Sequence, residues 1–357
     1  MAVLVTGGAG YIGTHTVVEL LNEGIEVVVV DDFSNSKPDA LERAAQIAGR
    51  RFPCYEASLL DKESLQAIFS NHPIEAVIHL AGYKAVGESV KQPLAYYHNN
   101  ISGTILLLQA MAEFNVKNIV FSSSATVYGF PENLPLTEEA PLQPTNTYGR
   151  TKLFNEIILN DLLYSDPSWS ITILRYFNPI GSHDSGRIGE DPNGIPNNLM
   201  PYITKVAAGL LPHVRVFGCD YETVDGTGIR DYIHVMDLAR GHVKALKKNL
   251  QTFGLKTYNL GTGIGKSVLQ VIQTFENATG IPIPYQLESR RTGDIASCFA
   301  DASKAEIELE WKAVKSFEEM CLDAWNWQHS QTHRGKKDNR SVNPRLQQSE
   351  DLLVEVK

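Results

Sequence analysis

Ala2-Val3-Leu4-Val5-Thr6-Gly7-Gly8-Ala9-Gly10-Tyr11-Ile12-Gly13 opens the chain, and the residues that follow to Asp32 complete one unit. Ala2 to Thr6 reads as a short buried strand, and Thr14 to Asn22 as an apolar-periodic helix ended by Gly24. Ile25 to Val30 reads as a second strand, closed by Asp31 and Asp32. Gly7, Gly10 and Gly13 let the backbone turn tightly and approach a pyrophosphate resting on the helix N-terminus. A glycine turn alone is weak evidence. Strand, glycines, helix, strand and terminal acid within about 30 residues is a dinucleotide-binding unit. Asp31 is placed to bind the adenosine ribose hydroxyls and would repel a 2′-phosphate, which favours NAD over NADP.

The alternation continues downstream. Arg51 to Glu56, Ala76 to Leu80, Asn118 to Phe121 and Trp169 to Tyr176 read as strands, with helices over Lys62–Ser70, Leu94–Phe114 and 147–164. The class is α/β: a Rossmann-type, doubly wound parallel sheet over residues 1–176, with ligands at the carboxyl ends of its strands. After Asp166 the pattern loosens, with Phe177-Asn178-Pro179-Ile180-Gly181 and Asp191-Pro192-Asn193-Gly194 breaking it. Residues 177–329 read as a smaller mixed α/β substrate-binding lobe. Residues 330–357, with Arg334-Gly335-Lys336-Lys337-Asp338-Asn339-Arg340, read as a disordered or loosely docked polar tail.

The chemistry concentrates between Phe121 and Lys152. An apolar strand ends in Ser122-Ser123-Ser124, and after a Pro-rich, acidic loop comes Tyr148-Gly149-Arg150-Thr151-Lys152. Helical spacing over Leu153 to Leu163 puts Tyr148 and Lys152 one turn apart on one face. A phenol of pKa about 10 is a poor base at neutral pH, and a lysine ammonium one turn away favours the phenolate. A serine at the end of a neighbouring strand can relay a proton from a sugar hydroxyl. Taken alone, Tyr-x3-Lys is an ordinary helical pair; the serines and the glycine unit give it catalytic meaning. Here the chain resembles the extended short-chain dehydrogenase/reductase family, which uses the same Gly-x-x-Gly-x-x-Gly form. Its catalytic set, carried over, is Ser124, Tyr148 and Lys152.

Composition narrows the setting. The chain has 357 residues, 43% hydrophobic and 20% charged, and its net charge of −9 argues against nucleic acid as the main partner. Cys54, Cys219, Cys298 and Cys321 form no Cys-x-x-Cys pair and suit reduced thiols in a cytosol. No His-Glu-x-x-His or comparable spacing supports a metal. Met1 runs directly into a strand with no signal peptide, and no apolar run nears the roughly 20 residues of a membrane span. The expectation is a soluble cytoplasmic enzyme. The helices near 94–114 and 147–164 carry surplus apolar residues such as Leu106 to Leu108, and are expected to pair with a second copy as a four-helix homodimer interface.

The second lobe points to the substrate. Separated Arg230 and Arg291, amide-bearing Asn198 and the ring of Phe217 suit a nucleoside diphosphate, with arginines for the phosphates. The words Ala85-Val86-Gly87-Glu88-Ser89-Val90, Ser122 to Gly129, Arg175-Tyr176-Phe177-Asn178-Pro179, Gly189-Glu190-Asp191-Pro192 and Asp231 to Leu238 are similar to those of the UDP-galactose 4-epimerases over roughly residues 2–328. That resemblance implies NAD, tightly bound and recycled within each turnover. It implies transient oxidation at C4 of a UDP-hexose, with the hydride returned to either face to interconvert UDP-galactose and UDP-glucose. It assigns the cofactor to Gly7, Gly10, Tyr11, Ile12, Gly13, Asp31, Asn35, Ser36, Ser58, Leu59, Leu80, Ala81, Gly82, Lys84, Asn99, Ser122, Tyr148, Lys152 and Tyr176. It assigns the UDP-sugar to Ser124, Thr126, Asn178, Asn198, Leu199, Val216, Phe217, Arg230, Arg291, Asp294 and Cys298. The family usually ends its third strand in Asp, where this chain has Ser58, which brings no charge to the adenine. By register Cys298 falls at the family's sugar-pocket gate. Either a small residue there admits a 2-acetamido sugar, extending the activity to UDP-GlcNAc and UDP-GalNAc, or Cys298 is simply a buried apolar side chain.

Two rivals remain. The first is another nucleotide-sugar epimerase or a dehydratase of the same superfamily; a dehydratase places an Asp-Glu pair beside the catalytic hydroxyl, where this chain reads Ser124-Ala125-Thr126-Val127. A non-catalytic NAD-binding regulator has no reason to keep Ser124, Tyr148 and Lys152 together.

Overall fold

The computed structural model describes residues 1–191, 196, 198–291 and 293–338, the last six by backbone only. Pro192 to Ile195, Asn197, Thr292 and the tail beyond Asp338 lie outside the described residues.

The opening unit forms as read: β1 (Ala2–Thr6), α1 (Tyr11–Asn22) and β2 (Glu26–Asp31). Then α2 (Pro38–Ala48), β3 (Cys54–Glu56), α3 (Lys62–Asn71) and β4 (Ile74–His79) continue the winding. Short α4 (Val86–Lys91) and α5 (Pro93–Tyr97) lead into α6 (Gly103–Glu113), β5 (Asn118–Ser124), α7 (Thr147–Ser165) and β6 (Ser170–Tyr176). The chain then makes β7 (Asn178–Ile180), α8 (Leu199–Ala207), β8 (Val214–Phe217), β9 (Ile229–His234) and α9 (Val235–Asn249). The remainder is β10 (Gly254–Leu260), β11 (Gly265–Ser267), α10 (Val268–Thr279), β12 (Tyr285–Glu288), β13 (Ser297–Cys298), α11 (Ser303–Leu309) and α12 (Phe317–Asp338).

Seven parallel strands make the main sheet, in the order β10-β6-β5-β4-β1-β2-β3. Its order reverses between β1 and β4, the crevice where such sheets bind ligands. Successive residues of β2 feed opposite cores: Val27 and Val29 join Val17, Leu20, Leu41, Leu238 and Leu246 on one face. Val28 and Val30 join Leu65, Ile68, Leu107, Met111 and Leu159 on the other. Burial on both faces is why these strands read as unbroken apolar runs.

In the second lobe β9 pairs with β7, β11 and β13, while β8 and β12 form a separate ribbon. Ile203, Val216, Val271, Phe275 and Met320 fill the core beneath them. The lobe is threaded through the sheet rather than strung after it, because β10 forms the main sheet's edge beside β6.

Two expectations change. The single helix over 94–114 is broken by a π-turn at His98–Ser102. There the Asn100 carbonyl accepts from Thr104 Oγ1 (2.7 Å) and Asn155 Nδ2 (2.9 Å), partners that support a wider turn. The polar tail is expected from residue 330, yet α12 carries helix through Asp338.

Candidate active site

A cleft of about 1940 Å³ runs between the lobes, from the glycine turn and Asp31 to the arginines of the second lobe. At its first end Gly7 and Gly13 are obligatory. Gly7 has φ +69°, and a Cβ there would meet the Ala81 backbone nitrogen at 2.7 Å; one on Gly13 would lie 2.2 Å from the Gly7 carbonyl. No side chain caps α1, so its first amides remain free for an anion in the cleft. Asp31, 8% exposed, accepts from Ala9 N (2.9 Å), Phe33 N (2.9 Å) and Ser36 Oγ (2.7 Å), while burial raises its pKa. A side-chain-free turn under open helix amides, with a fixed carboxylate at its end, fits a dinucleotide.

Tyr11, Ile12, Asn35, Ser36, Leu59, Leu80, Ala81, Gly82, Lys84, Asn99, Ser122 and Tyr176 line the same cleft. Ser58 does not: its hydroxyl accepts from Leu60 N at 3.2 Å, making a local turn instead of a contact with the cleft.

Asn146 caps α7 through Gly149 N (2.9 Å), which places Tyr148 in the first turn and Lys152 one turn on. Lys152 Nζ donates to the Ser122 carbonyl at 2.6 Å and lies 5.9 Å from the Tyr148 ring centroid. Burial pulls the Lys152 ammonium down to about 8, against the opposing pull of Glu156. Ser124 and Thr126 stand on the cleft wall, where Ser124 Oγ accepts from Thr126 Oγ1 at 3.0 Å; Tyr148 and Lys152 lie next to it on α7. The expectation that Lys152 lowers the Tyr148 pKa is corrected here. Burial raises the phenol, and the lowering influence is the Ser124 hydroxyl.

At the far end, Asn178, Asn198, Leu199, Val216, Phe217, Arg230, Arg291, Asp294 and Cys298 all reach the cleft. Arg291 stacks 3.9 Å from the Phe217 centroid, and Arg230 pairs with Asp294. Burial lowers the Arg291 pKa; Asp294 opposes, while Arg215 and Arg230 add to the lowering. Positive charge is in surplus there, as an anionic ligand requires. Cys298 is 7% exposed beside Arg230, and burial pushes its thiol up to about 11.

Sequence reasoning missed several groups. Glu190 Oε1 accepts from both Lys84 Nζ (3.0 Å) and Asn198 Nδ2 (2.7 Å), tying the two halves of the cleft together. Glu156 accepts from Ser123 and forms a buried pair with Arg175 (2.7 Å), one helical turn below Lys152. Glu156 could have been flagged by its i+4 spacing from Lys152; Glu190 has Asn198 eight residues on, but its partner Lys84 lies too far away in sequence to be seen.

The comparisons agree with this geometry. A family model described as GDP-mannose 4,6 dehydratase matches residues 4–324. The UDP-glucose 4-epimerase of Bacillus subtilis is 61% identical over 330 residues, which is 92% of this chain and 97% of the relative. The chain belongs to the UDP-glucose 4-epimerase family. Within that family, the Bifidobacterium longum enzyme, solved in complex with NAD+ and UDP, superposes with a TM-score of 0.91 at 55% identity, covering 93% of this chain and 99% of that one. The Stenotrophomonas maltophila enzyme, solved with bound NAD and formylated UDP-arabinopyranose, gives 0.92 at 51% identity, covering 94% and 99%. After Ser124, where a dehydratase is expected to carry an acid pair, this chain has Ala125 and Thr126. No helix of the described residues is long and apolar enough to cross a membrane.

Proposed function

We propose that this chain interconverts UDP-galactose and UDP-glucose through a 4-keto sugar that stays in the cleft. The observation that carries this reading is the single cleft joining the glycine turn to the arginine cluster, with Ser124 between them. The glycine turn, Asp31, Ser36 and Lys84 would hold NAD. Bound NAD would supply reversible hydride acceptance and a positive charge that favours the Tyr148 phenolate.

The protein's own groups do the rest. Tyr148, through Ser124, takes the proton from the sugar O4 and later returns it. Lys152 orients the cofactor ribose and adds positive charge. Arg230, Arg291 and Phe217 anchor the UDP while the sugar turns over. Cys298 leaves room for a 2-acetamido group, so the UDP-GlcNAc and UDP-GalNAc pair is also a substrate. Residues 1–176 supply mainly the cofactor half and 177–329 mainly the UDP half.

The chain works as a homodimer in the cytoplasm. Support for the dimer is the exposed apolar face of α5 and α7, where Leu94 is 81% exposed, Ile157 46% and Tyr164 91%; Leu106 to Leu108 do not contribute as expected, because Leu107 and Leu108 are buried in the chain's own core and Leu106 packs against it. Four free cysteines suit a reducing compartment.

The test uses purified protein, no added cofactor, UDP-galactose, and chromatography of UDP-glucose. Conversion to an equilibrium mixture is expected. No conversion even with NAD added would overturn the epimerase reading.

A further inference from the structure

Tyr176 meets the cleft with its hydroxyl held from behind. Its oxygen lies 2.5 Å from Nε2 of His242, a fully buried ring on α9. The other ring nitrogen, Nδ1, lies 2.8 Å from the Leu238 carbonyl. A carbonyl only accepts, so Nδ1 carries the ring proton and Nε2 is the bare acceptor. The Tyr176 hydroxyl therefore donates to His242. Burial pulls the imidazole pKa down to about 4, which keeps the ring neutral and this polarity fixed.

One consequence follows at the cleft wall. With its proton turned inward, the Tyr176 oxygen keeps only lone pairs for any other partner, and both Tyr176 and Ser122 line the cleft. We propose that His242 is a positioning residue: it makes Tyr176 an obligate hydrogen-bond acceptor, selecting a dinucleotide whose ring substituent donates an N–H. A nicotinamide carboxamide has such an N–H₂; a ring bearing an acetyl group has only an acceptor oxygen. This inference rests on the NAD reading above and concerns which dinucleotide the site retains, independently of turnover.

The holoenzyme is incubated with a large equimolar excess of NAD and its 3-acetylpyridine analogue. The protein is then desalted, and the released dinucleotides are quantified by mass spectrometry. Wild type is expected to retain NAD over the analogue by about tenfold, the worth of one ordinary hydrogen bond. His242→Phe lets the Tyr176 hydroxyl turn outward and donate to the acetyl oxygen, so the ratio falls toward parity. His242→Gln, whose amide oxygen can accept from Tyr176, restores most of the preference, which a merely structural role of the ring would not predict. Tyr176→Phe removes the acceptor and also loses the preference, so it serves as the test if His242→Phe does not fold. An unchanged ratio in a folded His242→Phe or Tyr176→Phe protein would overturn the proposal. If wild type retains neither dinucleotide, the cofactor reading itself falls, a result distinct from a flat ratio.

Discussion

Replacing Tyr148 by Phe removes the phenol hydroxyl while leaving the ring 5.9 Å from Lys152 Nζ. We expect kcat to fall by roughly 10²–10⁴, the range of a positioned acid or base, with UDP binding unchanged in a titration. Ser124→Ala should cost less than Tyr148→Phe, because the phenol keeps its place when the relay is lost. At the other end of the sugar pocket, Cys298→Tyr fills the space beside Arg230. Wild type is expected to turn over both sugar pairs at comparable rates, and Cys298→Tyr to lose the acetamido pair alone. A wild type inert toward UDP-GlcNAc would remove the broader specificity.

Helix α7 presents Lys152 to the site and, one turn later, Glu156 to Arg175, with both partners of that ion pair 6% exposed. Glu156→Ala strands a buried guanidinium and should destabilise the fold by about 3–5 kcal/mol in urea unfolding. Such a pair rarely adds net stability over an apolar one; its worth lies in fixing α7 against β6, and with it the register of Lys152. Much of this element was legible in sequence. Tyr148 and Lys152 share a helical spacing, and the glycine unit of β1, α1 and β2 carries local signals at every step. The π-turn was hidden, because Asn100 is committed by Tyr83, Thr151 and Asn155, which no short window contains. The roles of Glu190 and His242 were hidden for the same reason: their partners Lys84 and Tyr176 lie 106 and 66 residues away. Family register could not show that the Ser58 hydroxyl accepts from Leu60 N, since that local turn is a matter of backbone geometry.

At the scale of the molecule, burial draws His15 and His79 down to about 3 and His242 to about 4, from an ordinary value of 6.5. Below about pH 6.5 the unfolded chain takes up protons at these rings that the folded chain refuses. Their contribution is therefore full above about 6.5 and is lost as pH falls toward 3 to 4. Each ring should add about 1.4 kcal/mol per pH unit to the slope of unfolding free energy in that window, about 4 kcal/mol for all three. Urea unfolding between about pH 7.5 and 5 measures that slope, and His79→Gln should reduce it by one ring's share. The apolar face of α5 and α7 should hold the dimer, so Ile157→Glu should shift the protein to monomer in size-exclusion chromatography.

The edge position of β10 also sets a timetable for the ribosome. Strand β6 ends at Tyr176, but its neighbour β10 does not begin until Gly254. At roughly 5–20 residues per second, that interval lasts on the order of 4–15 s. Throughout it a sheet of the first six strands would have β6, Ser170 to Tyr176, as its open margin, a template for pairing with any neighbouring nascent chain. A fragment cut at Tyr176 would hold that state permanently, so the cofactor half, for all its self-contained motif, is born dependent on residues translated long after it.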